Sequence, residues 1–229
     1  MIKIENISAY GWEEAIRGMR NPMNSWDKSD SEFYRDMDYG CSGNCPCERI
    51  GECDCCFIGE NDLNLMKKLG NAGSDHAKYL RMITVYMDIT CHHTWWAEFD
   101  TYKVGTVRNS CSKMHKIHIK EFVKDDFSHE GIDSLLEDFP LANETFEKNI
   151  ETLEKLRVLF NKTQDKRYWR AIIELLPMGY NIKATVQLNY QVLKNMYHAR
   201  KNHKLDEWHK FCEMIEELPY SELITGENK

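Results

Sequence analysis

The chain has 229 residues and a mass of 27.1 kDa, which is enough to bury a sizeable core without outside support. Its 30 Lys and Arg residues against 37 Asp and Glu residues give a formal net charge of −7, which argues against a domain-wide basic surface for nucleic acid. No run approaches the roughly 18 apolar residues of a membrane helix, and charged Lys3 and Glu5 stand where a signal peptide would be apolar. We therefore expect a cytoplasmic protein without a membrane or nucleic-acid partner.

The apolar periodicity of the N-terminal part is interrupted between two predicted helices. Alternating apolar residues predict a strand over 2–8, followed by a helix from Gly11. From Asn21 to about Gly59 the periodicity disappears, which indicates a long loop or an insertion. A second helix is predicted from the N-cap residue Asn61 to about 70–73. Its apolar positions at helical spacing are Leu63, Met66 and Leu69.

The rest of the chain mixes extended and helical patterns. β-branched residues predict a strand over 82–90, and another extended segment is predicted over 180–187. The predicted helices span 91–102, 143–159, 166–176, 190–200 and 205–218. The sequence therefore predicts an α+β fold with more helix than strand.

The predicted helix over 91–102 carries two pairs of adjacent residues, His92-His93 and Trp95-Trp96. Neighbouring helix positions diverge by about 100°, so at most one residue of each pair is expected to face the core. A two-histidine metal site would need i, i+4 spacing, which these pairs lack. We expect them to be packing residues.

A spaced pattern runs through the C-terminal stretch. It comprises Leu176, Pro177, Asn189, Asn195, Arg200, Glu207 and Trp208. This stretch resembles the flavin-dependent thymidylate synthases of the ThyX family, in which Leu-Pro, Asn, Asn and Arg keep these intervals. Gln191 stands where the family has an Arg, and the last two residues of the pattern sit one position late.

The family's motif Arg-His-Arg-x-x-Ser-x-Asn-Glu-x-Ser-x-Arg-Tyr aligns without a gap with residues 101–114. Thr101 and Tyr102 replace its first Arg and its His, and Asn109 replaces its Glu. By order of elements the resemblance covers about 60–220. It implies a single ThyX-like domain over 1–229, built on a small antiparallel sheet packed with helices and carrying a Cys-rich insertion at about 40–59.

The resemblance also implies a set of site residues. The cofactor-binding positions that it implies are Lys103, Thr106, Asn109, Asn189, Gln191 and Asn195. The substrate-binding positions that it implies are Glu98, Ser110, Cys111, Ser112, Lys113, Arg170 and Arg200. A glutamine cannot pair with a phosphate as arginine does, so Gln191 predicts weaker flavin binding.

Several of these positions also have a purely structural interpretation. Arg200 is the implied catalytic residue, which would stabilise negative charge on the uracil carbonyls; alternatively it complements the negative end of its helix. Arg170 either contacts the nucleotide or faces solvent. Residues 105–113 offer hydroxyls, backbone N–H groups and cations for a phosphate, or form an ordinary polar turn.

The function that the resemblance implies is FAD-dependent transfer of a one-carbon unit to C5 of dUMP or a related pyrimidine deoxynucleotide. Methylenetetrahydrofolate and NADPH would be the co-substrates, and a homotetramer is implied because family sites are shared between subunits. The alternative, motivated by Thr101, Tyr102 and Asn109, is a divergent member that binds a nucleotide or a protein partner without this catalysis.

Six of the nine cysteines lie within 16 residues: Cys41, Cys45, Cys47, Cys53, Cys55 and Cys56. In the cytosol such density favours metal thiolate ligation over disulfides, and four of the six would form a tetrahedral zinc site. A flexible thiol-rich insertion and disulfides formed on oxidation are the alternatives. A regulatory or redox protein whose main site is this cluster is a third functional hypothesis.

If four of these thiolates bind zinc, the metal contributes folding energy directly to the segment 41–56. We predict about one zinc per chain in protein purified under reducing conditions, and new protease cleavage within 41–56 after chelation. Metal analysis and limited proteolysis test this. Metal-free protein with freely titrating thiols and unchanged protease resistance would contradict it.

Overall fold

The computed structural model describes residues 2–33, 52–53 and 56–226. The chain divides into two compact units. The first comprises Met1–Lys3, Ile89–Asp100 and Asn109–Ala184. The second comprises Ile4–Asp88, Thr101–Arg108 and Thr185–Lys229. The single domain that the resemblance implies stays a prediction.

The described strands form a small sheet and a separate two-stranded ladder. They are β1 (Lys3–Tyr10), β2 (Glu32–Phe33), β3 (Glu52–Cys53), β4 (Cys56–Phe57), β5 (Thr84–His92), β6 (Val107–Ser110) and β7 (Asn181–Asn189). The sheet order is β3-β1-β5-β7-β6, and β2 pairs with β4. The sheet is antiparallel, as predicted, except that β3 at its edge pairs with β1 in parallel. Buried and more exposed residues alternate along β5 and β7, as expected of strands with one face on a core.

Helices account for more residues than strands, which confirms the predicted α+β class. They are α1 (Trp12–Arg20), α2 (Glu60–Asn71), α3 (His93–Phe99), α4 (Lys113–Lys116), α5 (Glu130–Asp133), α6 (Pro140–Thr163), α7 (Lys166–Leu175), α8 (Tyr190–Arg200), α9 (Asp206–Glu216) and α10 (Glu222–Thr225). Short 3-10 helices include Ala77–Arg81.

The start of α2 differs from the prediction for a physical reason. The N-cap residue is Gly59 rather than Asn61, and Gly59 has no side chain with which to cap the helix. The carboxylate of Asp30 instead accepts the backbone N–H groups of Asn61 and Asp62, at 2.9 and 3.1 Å. A residue 31 positions away therefore does what a local N-cap would do, and sequence spacing does not reveal it.

The first unit is built around an aromatic and aliphatic core. Its buried residues are Ile117, Phe122, Phe127, Phe146, Leu153 and Ile172. The predicted helices over 143–159 and 166–176 are confirmed as α6 and α7, which pack against each other. The helix α6 begins three residues early, because Pro140 suits the first helical position.

Helix α3 corrects the expectation for its paired residues. Trp95 and Trp96 are both buried, with ring centroids 5.0 Å apart, and the Trp96 indole donates to the Ile182 carbonyl at 3.0 Å. This seven-residue helix is therefore enclosed on more than one side. His92 lies before the helix, where its Nδ1 accepts the Trp95 N–H at 3.3 Å and caps α3.

A buried ion pair connects α1 and α2 in the second unit. Arg20 Nε donates to Asp62 Oδ1 at 2.6 Å, and both side chains are almost fully buried. The other Asp62 oxygen accepts the hydroxyls of Ser29 and Ser31, each at 2.6 Å. The Arg20 guanidinium also donates to the carbonyls of Ser25 and Lys28. The pair thus fastens the segment that follows α1 onto α2.

The same contacts set the charge state of Asp62. Burial alone would raise the pKa of this carboxyl, but the hydrogen bonds from Ser29 and Ser31 and the pairing with Arg20 lower it below its ordinary value. A carboxyl whose pKa is lowered by folding stabilises the protein above the unfolded-state pKa. That contribution is lost as the pH falls through the folded-state pKa.

We predict that Asp62→Asn lowers the free energy of unfolding by about 3 kcal/mol, because the buried Arg20 charge loses its counterion. As the pH falls below about 4, the variant should also lose less stability than the wild type, since the titrating carboxyl is gone. Chemical denaturation across pH measures both effects. The control is Glu14→Gln, which removes an exposed pair with Arg17 and should change stability by less than about 1 kcal/mol. Equal effects of the two variants would contradict the prediction.

Candidate functional site

Two of the predicted cofactor positions meet at a cavity of about 220 Å³ in the second unit. We call it the Thr106 cavity. It is lined by Arg81, Thr84, Gly105, Thr106, Val107, Gln187, Leu188 and Asn189. Lys103 is exposed and does not contribute to this lining.

The wall of this cavity depends on a close approach between Gly105 and Asn189. Gly105 has φ of +79°, and a Cβ built on it would lie 2.7 Å from Asn189 Nδ2. Asn189 is the last residue of β7 and the N-cap of α8, where its Oδ1 accepts the Val192 N–H at 3.0 Å. Only glycine permits both the backbone conformation and the contact. The Asn189 amide thus caps a helix with its oxygen and faces Gly105 with its nitrogen.

Two predicted cofactor residues have buried polar atoms without a hydrogen-bond partner in the described part of the chain. They are Thr106 Oγ1 and Gln191 Oε1. A buried polar group left unpaired costs about 1–3 kcal/mol, so such atoms point to a missing partner. The amide nitrogen of Gln191 donates to exposed Asn195 Oδ1 at 3.1 Å, one helical turn along α8.

Arg200, the predicted catalytic residue, lies against two aromatic rings. Its Nε donates to the Tyr102 hydroxyl at 3.0 Å, and its guanidinium carbon lies 4.9 Å from the centroid of the buried Trp208 ring and 5.6 Å from that of Tyr102. Arg200 is also the last residue of α8, so it complements the negative end of that helix as well. From the sequence, Tyr102 was noted only as the replacement of the motif's His, and its contact with Arg200 was not predicted.

The first unit contains a cavity of about 310 Å³, which we call the lysine cavity. Three predicted substrate residues, Cys111, Ser112 and Lys113, line it. Its other charged lining residues are Lys116, Lys120, Lys183, Glu121, Asp125 and Asp126. Lys120 is paired with Asp126 at 2.6 Å. Lysines thus exceed carboxylates by one.

The residues of the predicted phosphate-binding segment belong to a strand and a short helix. Asn109 and Ser110 are exposed residues of β6, and the Cys111 N–H donates to the Lys183 carbonyl at 3.0 Å. Ser112 caps the four-residue α4 by accepting the His115 N–H at 3.2 Å. The Cys111 N–H is therefore already used by the fold, and side chains are left to hold an anion here.

Lys113 and His93 form a close contact in the first unit. The Lys113 ammonium lies 2.6 Å from His93 Nε2, a geometry in which a neutral imidazole accepts from the lysine. Tyr180, which lines the same cavity, has a pKa raised by burial and by the nearby Asp126 and Cys111. The lysine cavity thus combines a half-buried cation with a phenol kept protonated.

Two predicted substrate residues lie elsewhere in the first unit. Glu98 is half-buried on α3. Arg170 is exposed on α7 and pairs with Glu174 one turn away at 2.6 Å, which is the solvent-facing arrangement. Neither lines the lysine cavity.

The predicted zinc ligands fall mostly beyond the structure's described residues. Cys41, Cys45, Cys47 and Cys55 lie outside them, and Cys53 and Cys56 are described only as backbone in β3 and β4. Within residues 2–33 and 57–226, no group of three or more His, Cys, Asp or Glu side chains is placed to hold a metal ion. The zinc site stays a prediction.

Two solved structures of flavin-dependent thymidylate synthase ThyX from Helicobacter pylori, both with FAD and dUMP, are similar to this chain at 15% sequence identity. One has a TM-score of 0.64 and covers 97% of this chain and 96% of its own. The other has a TM-score of 0.63 and covers 99% of this chain and 100% of its own. The chain has a ThyX-like fold.

This likeness establishes the fold alone, because the sequence identity is only 15%. No protein-family model and no curated protein sequence matches the chain. Among the described residues, no helix of the ThyX-like fold is both long enough and apolar enough to cross a membrane.

Proposed function

We propose that this chain is an FAD-dependent, thymidylate synthase-like enzyme that transfers a one-carbon unit to C5 of dUMP or a related pyrimidine deoxynucleotide. The observation that carries the proposal is the convergence of Thr106 and Asn189 at one cavity, where the Thr106 hydroxyl has no hydrogen-bond partner among the described residues. The ThyX-like fold supports it, because the two similar structures contain FAD and dUMP.

The residues at the Thr106 cavity fit a flavin cofactor. Thr106 has a hydroxyl that both donates and accepts and that has no partner among the described residues, and Asn189 Nδ2 supplies a donor beside Gly105. A cavity of about 220 Å³ admits part of FAD rather than all of it. A second subunit would enclose the remainder, which agrees with the proposed homotetramer.

When bound, FAD would carry electrons from NADPH to the one-carbon unit supplied by methylenetetrahydrofolate. The chain's own residues would bind and polarise the nucleotide. Arg200 would stabilise negative charge on the uracil carbonyls while the C5–H bond is replaced by a C5–methyl bond. Cys111, Ser112 and Lys113 line the lysine cavity of the first unit, where they would bind a phosphate with Lys113 supplying a positive charge.

One alternative has support from specific contacts. Asn189 Oδ1 is already used to cap α8, and Gln191 and Asn195 hydrogen-bond to each other. These internal contacts favour a divergent protein that binds a nucleotide or a protein partner without this catalysis. The two functions differ in whether dUMP binding depends on bound FAD.

Reconstitution with FAD tests the proposal, and Asn189 provides the sharpest variants. Titrating the apoprotein should change flavin fluorescence, with weaker affinity than an arginine at position 191 would give. Asn189→Asp keeps the helix cap but replaces the amide donor with a carboxylate oxygen, so stability should hold while FAD affinity falls at least about tenfold. Asn189→Ala should lose both the affinity and about 1 kcal/mol of stability.

The result that counts against this proposal is equally specific. Apoprotein that leaves flavin fluorescence unchanged at high micromolar concentration, yet binds dUMP, would favour the divergent alternative. Wild-type FAD affinity in Asn189→Asp would remove Asn189 from the cofactor site.

Arg200 and Tyr102 generate a second prediction. Arg200→Lys should keep the fold but lose the planar guanidinium, and with it most turnover and about 10- to 100-fold of dUMP affinity. Tyr102→Phe removes only the hydroxyl that accepts from Arg200 Nε, so it should reduce turnover more than dUMP affinity. Calorimetric titration and steady-state kinetics measure the two effects. Unchanged dUMP affinity in Arg200→Lys would leave Arg200 with its helix-end role alone.

A further inference from the structure

The proposed cofactor site lacks a cation at the position where the resemblance predicts one. Gln191 stands in place of an arginine, and its amide nitrogen is directed to Asn195. Lys103 is exposed and does not line the Thr106 cavity. A pyrophosphate-bearing cofactor still requires positive charge or several donors to replace its lost hydration.

Arg81 brings a positive charge to this cavity from an independent element. It is the last residue of the 3-10 helix Ala77–Arg81 and lines the cavity together with Gly105, Thr106 and Asn189. Among the described residues of that lining, it is the only charged one. The described lining therefore carries one positive charge and no negative charge.

Arg81 also differs from most other described arginines in its lack of a carboxylate partner. Each of the following arginines pairs with an Asp or Glu: Arg17, Arg20, Arg157, Arg167 and Arg170. No described residue makes a side-chain hydrogen bond or an ion pair with exposed Arg81. Its guanidinium can therefore bind an anion without first breaking a side-chain contact within the described part of the chain.

The start of α8 adds to the same field. Asn189 in the cavity wall is the N-cap of this eleven-residue helix, so the positive end of the helix lies at the wall. An arginine and a helix N-terminus at one cavity form an arrangement that suits a phosphate group. Thr106, whose hydroxyl has no hydrogen-bond partner among the described residues, lines the same cavity.

We propose that Arg81 binds a phosphate of the flavin cofactor at the Thr106 cavity and supplies the charge that Gln191 lacks. This inference rests on the proposed function, because it takes FAD as the ligand of that cavity. The same phosphate chemistry has a second source in dUMP, and the experiment separates the two.

The test compares Arg81→Gln, Arg81→Lys and Lys78→Gln with the wild type. Lys78→Gln is the matched control, because Lys78 is an exposed cation on the same 3-10 helix that does not line the cavity. Each protein is titrated with FAD, with riboflavin, which has no phosphate, and with dUMP. Circular dichroism and thermal unfolding check that the folds are equal.

We expect Arg81→Gln to weaken FAD binding by about 10- to 100-fold while riboflavin and dUMP affinities stay within about twofold. Arg81→Lys should lie between Arg81→Gln and the wild type, because a lysine keeps the charge but not the fork. Lys78→Gln should match the wild type. The Arg81-dependent share of FAD affinity should also decrease with salt.

Several results would overturn the assignment. FAD affinity unchanged in Arg81→Gln would exclude Arg81 from the cofactor site while leaving the proposed function intact. An equal loss with riboflavin would mean that Arg81 does not act through a phosphate. A loss confined to dUMP would assign the phosphate to the substrate. Wild-type protein that binds no FAD would instead reject the proposed function itself.

Discussion

The junction between β7 and α8 is the constraint on which the candidate site depends. One side chain, Asn189, ends the strand and caps the helix through its oxygen, while its nitrogen faces the backbone of Gly105. A side chain at position 105 would meet that nitrogen at 2.7 Å, so the loop approaches the helix only because the residue is glycine. This contact sets the wall of the Thr106 cavity and the direction in which α8 leaves it.

The direction of α8 in turn fixes the groups that the helix carries. Gln191 lies in its first turn, where its buried Oε1 has no partner among the described residues. Arg200 is the last residue of the helix and lies against Tyr102 and Trp208. The aromatic pair restricts the guanidinium while a hydroxyl accepts from its Nε, so much of its side-chain entropy is lost on folding rather than on binding. An arginine held in this way suits a role in which charge develops at a fixed place.

Much of the fold is predictable from local patterns. Alternation identified β1, β-branched residues identified β5, and an extended pattern identified β7. Apolar spacing identified α6, α7, α8 and α9, because each of these signals lies within one element. The cap of α2 by Asp30 and the burial of both Trp95 and Trp96 depend on contacts between distant parts of the chain, which spacing does not encode. The sequence of β6 resembles a polar turn for the same reason, since the strand it pairs with, β7, lies about 70 residues away.

The candidate site divides along the same line. Thr106 and Asn189 were predicted from the spacing of motifs, and the structure brings them to one cavity. Arg81 and the Tyr102 contact gave no sequence signal, because a lone arginine or tyrosine is ordinary in any chain until its neighbours are known. Arg170 shows the converse, since a residue suggested by the resemblance pairs with Glu174 at the surface.

The proposed chemistry replaces the hydrogen at C5 of the pyrimidine, so the fate of that hydrogen is the most direct measurement. Protein reconstituted with FAD is incubated with methylenetetrahydrofolate, NADPH and dUMP labelled with tritium at C5. We expect tritium to be released to water in step with the formation of dTMP. Tritium fully retained at C5, with no dTMP formed while FAD and dUMP are both bound, would contradict it.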